Sequence, residues 1–143
     1  RWIIAGQSPT RVRKAVTGGG LAVAGIALGV AAVGGPLLCT IMLFLGVMFF
    51  GAYSSNVWAI TQTLAGPRAA GRWTGFQNFV GNLAGVVAPA VTGLILDRTG
   101  QFYWAFAILT AIALLGTLSS LILIGPVEPV VWQASQARAA DEP

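Results

Sequence analysis

The feature that most constrains this chain is the length of its runs without a charged residue. Residues 15–67, 73–96 and 99–127 contain no Asp, Glu, Lys or Arg, which makes runs of 53, 24 and 29 residues. About 20 apolar residues in a helix suffice to cross the hydrocarbon core of a bilayer. The runs therefore predict an all-α bundle of membrane-spanning helices, because a backbone in lipid must satisfy its own hydrogen bonds.

The composition agrees with a membrane protein and argues against several other functions. Apolar residues make up 56% of the 143 residues and charged residues 8%, with one cysteine and no histidine, whereas soluble domains carry about 25% charged residues. A zinc site would lack ligands, and no nucleophile–base pair or phosphate loop is present. We therefore expect no enzyme, no metal site and no cofactor. We also expect no nucleic-acid partner, since the basic residues flank the apolar runs.

Turn signals divide the chain into four predicted spans. The first run would be about 80 Å long as a single helix, so it must turn, and Gly34-Gly35-Pro36 is the strong turn signal near its middle. The predicted organisation is a basic cytoplasmic segment at 1–14, spans at 15–33, 37–64, 73–96 and 102–124, a cytoplasmic loop at 65–72, an external turn at 97–101 and a cytoplasmic tail at 125–143.

The lysine and arginine distribution predicts the orientation. With four spans, the N-terminal segment, the 65–72 loop and the tail share one side and hold seven of the eight basic residues, whereas Arg98 is alone on the other. The positive-inside rule then places both termini in the cytoplasm. We expect a multi-pass protein of the cytoplasmic (inner) membrane, with a polar tail that is poorly ordered beyond Val127.

Two spans carry glycines at a spacing that favours close helix packing. Gly25 and Gly29 form a small-xxx-small pair in the first span, and Gly81 and Gly85 repeat it in the third. Small residues let helices approach closely and pack by dispersion. We expect both spans to lie inside a bundle, which could consist of these spans or belong to a larger protein.

Neutral polar residues are the remaining candidates for a binding site. Asn78 and Asn82 share a helical face in the third span, and Ser55, Trp58 and Gln62 are spaced at i, i+3 and i+7 in the second. The amides could form interhelical hydrogen bonds or line a cavity for a polar solute. Trp58 could anchor the span at the membrane interface or wall a sugar-sized site.

The predicted spans contain no carboxylate, lysine or arginine that could couple transport to an ion. Proton or sodium coupling usually requires a buried ionisable group, and the charged residues all lie outside the spans. Either the protein does not perform ion-coupled transport, or the coupling residue lies on sequence that this chain lacks.

The third span carries a recognisable motif. Residues 75–93, GFQNFVGNLAGVVAPAVTG, closed by Asp97-Arg98-Thr99-Gly100, resemble the penultimate helix of the major facilitator superfamily. Within it they look most like the anion:cation symporters, which carry sugar acids and related organic anions with protons. Residues 102–106 are similar to the start of that family's last helix, and 8–14 to the basic loop before its ninth. The four spans would correspond to the last four of twelve.

The resemblance implies a function and a site. The chain would be the C-terminal part of a secondary active transporter that moves a sugar-acid-like organic anion by alternating access, as a symporter with protons. Ser55, Trp58 and Asn78 fall where the family's tenth and eleventh helices contribute to the central cavity, and Gln62 and Asn82 complete the predicted substrate-binding set.

Under this interpretation the partners are the bilayer, the solute, a proton and the N-terminal helices that carry the coupling carboxylates and the anion-binding arginine. The alternative is a stand-alone four-helix membrane protein that acts as a structural or assembly subunit without transport activity. In that case the small-residue faces would mediate association, and the amides would only join helices.

Overall fold

The computed structural model describes residues 8–130, and every regular element in this range is a helix. The helices are α1 (Pro9–Val33), α2 (Pro36–Thr99) and α3 (Tyr103–Leu123). All three are long and apolar enough to cross a membrane, and the prediction of an all-α fold is confirmed for this range. The predictions for 1–7 and 131–143 lie outside the described residues.

Helix α1 begins earlier than the predicted first span. Ser8 is its N-cap, and the Ser8 hydroxyl accepts a hydrogen bond from the Arg11 backbone N–H at 3.3 Å. A proline follows at the first helical position, where its missing N–H costs nothing. The basic residues of the predicted cytoplasmic segment are therefore helical from Pro9 onward. The charge pattern predicts where the membrane begins, near residue 15, whereas the Ser8 cap marks where the helix begins.

Two turns separate the three helices. Gly34 is the C-cap of α1 and Gly35 is the N-cap of α2, which begins at Pro36. At the far end of α2, Gly100 has a left-handed φ of 67°, and its N–H donates to the Leu96 carbonyl at 2.7 Å. This conformation ends a helix readily because glycine lacks a Cβ.

The predicted loop at 65–72 is helical except at one residue. Gly66, with φ 67° and ψ 173°, is the only non-helical residue inside the 64-residue α2. A straight helix would separate Thr61 from Gln77 by about 24 Å, yet the Thr61 hydroxyl donates to Gln77 Oε1 at 2.5 Å. The chain therefore bends sharply at Gly66. We call the two parts of α2 the segments α2N (36–65) and α2C (67–99).

The four separate helices expected from the sequence thus appear as three. Pro67 directly follows the bend and can occupy a first helical position, and two alanines after Arg68 favour continued helix. No residue beyond Gly66 is needed to reverse the chain, so α2N and α2C join without a loop.

Helix α1 lies between α2N and α3 and packs antiparallel to both. Its buried face contains Thr17, Leu21, Ala24, Ala27 and Ala31, which recur at helical spacing. On the α3 side, a Cβ built on Gly18 would meet the Leu121 side chain and one on Gly29 would meet the Thr110 side chain. The rising numbers on α1 pair with falling numbers on α3, which shows that the two helices are antiparallel.

The contact between α1 and α2N is equally close. A Cβ built on Gly20 would lie 3.0 Å from the Phe49 carbonyl oxygen, and one on Gly46 would lie 3.8 Å from Ala27 Cβ. Side chains larger than hydrogen would push the backbones apart at Gly20. The small residues of α1 therefore serve both of its neighbours.

Segment α2C has very different surroundings. All of residues 78–91 are exposed, although the stretch is mainly apolar. Val86, for example, is 75% exposed and Val87 57%. After its first turns, which return alongside the end of α2N, α2C has little contact with the rest of the described chain.

The residues after α3 cross one end of the bundle. Val127 is buried, and its N–H donates to Thr10 Oγ1 at 3.1 Å. Val130 N–H then donates to the Leu64 carbonyl at 2.9 Å. Residues 124–130, which we call the closing segment, therefore join the C-terminus of α3 to the start of α1 and the end of α2N.

Candidate substrate-binding site

The predicted substrate residues are divided between α2N and α2C. Ser55, Trp58 and Gln62 lie on α2N, and Asn78 and Asn82 lie on α2C. Trp58 is half-buried, and the other four are exposed. Among residues 8–130, no hydrogen bond joins a member of the first set to a member of the second. Whether they form one site stays a prediction.

The hydrogen-bonding state of these side chains differs. Ser55 Oγ donates to the Gly51 carbonyl at 2.9 Å, and Asn82 Nδ2 donates to the Asn78 carbonyl at 2.8 Å, both within their own helix. The polar side-chain atoms of Trp58, Gln62 and Asn78 have no hydrogen-bond partner in the described range. An amide offers two donors and an acceptor, and an indole offers one donor. The hydrogen-bond donors and acceptors of these three side chains therefore remain available to a solute.

One side-chain hydrogen bond does connect the two segments, and sequence reasoning did not find it. Thr61 and Gln77 stand out in the sequence only as polar residues, yet the bend at Gly66 brings them together. Thr61 directly precedes Gln62, and Gln77 directly precedes Asn78. No spacing rule predicts this pair, because it depends on how sharply the chain reverses.

A cavity of about 540 Å³ lies beside this bond. Its wall is almost wholly apolar and is formed by Thr61, Leu64, Ala65, Trp73, Phe76, Gln77, Val80 and Val130. None of the five predicted substrate residues contributes to it. Among the described residues, the lining has no cation and only one polar pair, so it has little to offer a carboxylate, which favours charged or multiple hydrogen-bond donors.

Two basic residues at the same end of the bundle are engaged in helix packing. Arg13 Nη1 donates to Thr63 Oγ1 at 2.7 Å, and Lys14 Nζ donates to the Leu121 carbonyl at 3.3 Å. Both acceptors lie in the last turn of a helical segment antiparallel to α1. A cation is favourable at a helix C-terminus, where carbonyls lack partners and the dipole is negative. Arg13 and Lys14 thus hold α2N and α3 against α1.

Comparison with known proteins identifies relatives of this chain, although no family model and no solved structure matches it. The chain is 36% identical over 91 residues to the D-galactonate transporter of Escherichia coli, covering 63% of this chain and 21% of that protein. It is 32% identical over 83 residues to the hexuronate transporter of Bacillus subtilis, covering 58% of this chain and 20% of that protein.

A third relative is a probable galactarate/D-glucarate transporter of Bacillus subtilis, 32% identical over 97 residues, which are 67% of this chain and 21% of that protein. The chain spans about a fifth of the length of the curated relatives it matches. All five matching proteins are named as transporters and none as an enzyme, in agreement with the prediction that the chain is not an enzyme. The resemblance predicted from residues 75–93 is confirmed at this level: the chain is a homologue of bacterial sugar-acid transporters.

Proposed function

We propose that this chain is the C-terminal part of a major facilitator transporter of the anion:cation symporter family. The whole protein would move a sugar-acid-like organic anion across the cytoplasmic membrane by alternating access, coupled to protons. The observation that carries the proposal is the set of relatives, which are about five times as long as the matched region and are named for hexuronate, galactonate and galactarate or glucarate.

The bend at Gly66 supports four spans. As one straight helix, α2 would be about 96 Å long, three times the thickness of a hydrocarbon core. With the bend, α1, α2N, α2C and α3 each have the length of one span. Arg68 and Arg72 follow the bend directly and are exposed, which favours a cytoplasmic position for it and for both termini.

The exposure of α2C supports partners outside this chain. Its apolar residues between 78 and 91 lie open on every side of the helix, and so do the amides of Asn78 and Asn82. A polar amide facing lipid is costly, so this face requires protein or water around it. The N-terminal helices of a longer transporter would supply both, and the bilayer would cover the remaining apolar surface.

The site in this proposal is formed by Ser55, Trp58, Gln62, Asn78 and Asn82. Transporter sites lie near the bilayer midplane where repeats meet, and neutral donors there would bind solute hydroxyls and a carboxylate. The unengaged side chains of Trp58, Gln62 and Asn78 support this assignment. The coupling carboxylates and the anion-binding arginine would lie on the N-terminal helices.

The test is Asn78→Ala in the transporter that contains the upstream helices. Because the substitution removes the hydrogen bonds of one amide to a charged or polar solute, we expect KM for galactonate or a hexuronate to rise about tenfold. Membrane abundance should not change, because in this proposal the Asn78 amide faces the solute cavity and not a packed helix. The measurement is uptake of labelled sugar acid into cells or proteoliposomes.

Asn56→Ala is the matched control, because its amide already donates to the Ala52 carbonyl of its own helix at 3.3 Å. Unchanged uptake by Asn78→Ala would remove that residue from the site. For the proposal as a whole, the genomic sequence upstream must encode about eight further hydrophobic spans in frame. A start codon close to Arg1 would instead favour the stand-alone membrane subunit.

A further inference from the structure

The last turn of α2N is bonded to three other parts of the chain. Thr63 accepts a hydrogen bond from Arg13 of α1, and the Leu64 carbonyl accepts one from Val130 of the closing segment. Thr61 donates to Gln77 of α2C. Within four consecutive residues, α2N thus meets every element that reaches this end of the bundle except α3.

These three bonds differ in what they hold. The bonds of Thr63 and Leu64 tie α2N to α1 and to the closing segment, and α2N also packs along α1 through Gly20 and Gly46. The position of α2N is therefore set without α2C. In contrast, α2C is exposed from 78 to 91. In the described range, the Thr61–Gln77 bond is the one side-chain hydrogen bond between α2N and α2C.

The two residues of this bond are sequence neighbours of proposed substrate residues. Gln62 and Asn78 are the next residues after Thr61 and Gln77, and Trp58 lies one helical turn before Thr61. The two segments meet at Gly66, and each carries its own proposed substrate residues away from that point. A change in the angle at Gly66 would move Asn78 and Asn82 relative to Trp58 and Gln62.

We propose that Thr61 and Gln77 are a positioning pair for the substrate site: their hydrogen bond fixes the angle between α2N and α2C and so the separation of the two sets of substrate contacts. This inference rests on the proposed function. Neither residue needs to contact the solute. The bond sets geometry, and errors of about 1 Å in positioning are known to be costly in sites that depend on orientation.

The first experiment measures uptake kinetics in the transporter that contains the upstream helices. Thr61→Val removes the hydroxyl at nearly constant volume, and Gln77→Leu removes the acceptor. Because a single hydrogen bond is lost, we expect each to raise KM about fivefold. The double variant should be no worse than either single variant, since both remove the same interaction. Thr61→Ser retains the hydroxyl and should restore the original KM.

Thr117→Val is the matched control, because the Thr117 hydroxyl donates to the Ala113 carbonyl of its own helix at 2.9 Å. It makes the same chemical change on α3, away from the bend. We expect its KM to equal that of the unmodified transporter. An equal rise of KM in this control would overturn the positioning role, because the effect would then not depend on the contact between α2N and α2C.

The second experiment measures geometry without reference to transport. Spin labels are placed in the 143-residue chain at Phe44 on α2N and Val86 on α2C, which are 77% and 75% exposed, after Cys39→Ser removes its one cysteine. Electron–electron distance distributions are recorded for the unmodified background, Thr61→Val and Gln77→Leu. We expect a broadened or shifted distribution in both variants and none in Thr117→Val.

The outcomes separate this inference from the proposed function. Unchanged distance distributions in Thr61→Val and Gln77→Leu would overturn the positioning pair. So would a raised KM in Asn78→Ala without any change of KM in the pair variants, and in that case the proposed site would survive. If Asn78→Ala, Thr61→Val and Gln77→Leu all leave uptake unchanged, the proposed site fails and the positioning role fails with it.

Discussion

Helix α1 and segment α2C contain the same packing motif in opposite surroundings. A Cβ built on Gly25 of α1 would lie 2.9 Å from Ala113 Cβ, and one on Gly29 would lie 3.3 Å from Thr110 Cγ2. Around Gly81 and Gly85 of α2C, no neighbouring atom of residues 8–130 lies within 4 Å of the same constructed atom. The glycine spacing permits close approach, but it does not choose a partner.

The comparison extends beyond the glycines. One face of α1 is buried between α2N and α3, whereas α2C is exposed throughout 78–91. Both are glycine-rich helices, so the difference comes from where their partners are. The partners of α1 are present in this chain, and those of α2C are expected on the N-terminal helices of the proposed transporter.

The largest effect should come from Gly25→Leu. The new side chain cannot fit, because even its Cβ would overlap Ala113 and the α3 backbone is close behind. Overpacking of this kind costs about 3 kcal/mol, through separation of α1 from α3. The midpoint of thermal denaturation in detergent should fall clearly, and membrane abundance should fall with it.

Gly81→Leu makes the same change on α2C, and its effect on stability is measured in two forms of the protein. In the 143-residue chain we expect little effect, because the site is open. In the transporter with its upstream helices we expect destabilisation close to that of Gly25→Leu. Equal tolerance in both forms would show that the α2C face has no protein partner, and would count against the transporter proposal.

Gly66→Ala tests the bend that separates the two environments. The combination of φ 67° and ψ 173° is a region that only glycine occupies readily, and a Cβ there costs about 2 kcal/mol. We expect a lower denaturation midpoint and a changed distance between labels on α2N and α2C. Gly71→Ala is the control: that residue is helical with open space around it, so alanine should be neutral or slightly stabilising.

Arg13→Met should have the smallest of these effects. It removes the donor to Thr63 and retains most of the aliphatic stem, so we expect a loss of about 1 kcal/mol for a half-exposed contact. Arg11→Met is the control, since Arg11 is exposed and its side chain makes no hydrogen bond within 8–130. If both variants denature at the same midpoint, the Arg13–Thr63 bond does not stabilise α1 against α2N.

Much of the helix arrangement follows from local chemistry in the sequence. Runs without charge indicate where lipid can lie, and Gly34-Gly35-Pro36 supplies a C-cap, an N-cap and a first helical residue in order. The start of α1 was harder to predict from the sequence, because charge marks the membrane boundary whereas Ser8 marks the helix boundary. The 65–72 loop was overestimated, since a single glycine suffices to reverse the chain.

The candidate site could be predicted only in part, for a different reason. Helical spacing shows that Asn78 and Asn82 share a face, because that relation is local. It cannot show that Thr61 meets Gln77, since their contact depends on the torsion angles of Gly66. Nor can it show that Gly25 has a neighbour while Gly81 has none, because such differences arise only from long-range packing.

The closing segment has a consequence for synthesis. Its bonds from Val127 to Thr10 and from Val130 to Leu64 join residues that are 117 and 66 positions apart. While the ribosome is still adding α3, the start of α1 and the end of α2N have already emerged but have no tie to the C-terminal end. Both hydrogen bonds of the closing segment can form only after residue 130 has left the exit tunnel. Until then, the contacts between α1 and α2N, such as the Arg13–Thr63 hydrogen bond, must form without the closing segment.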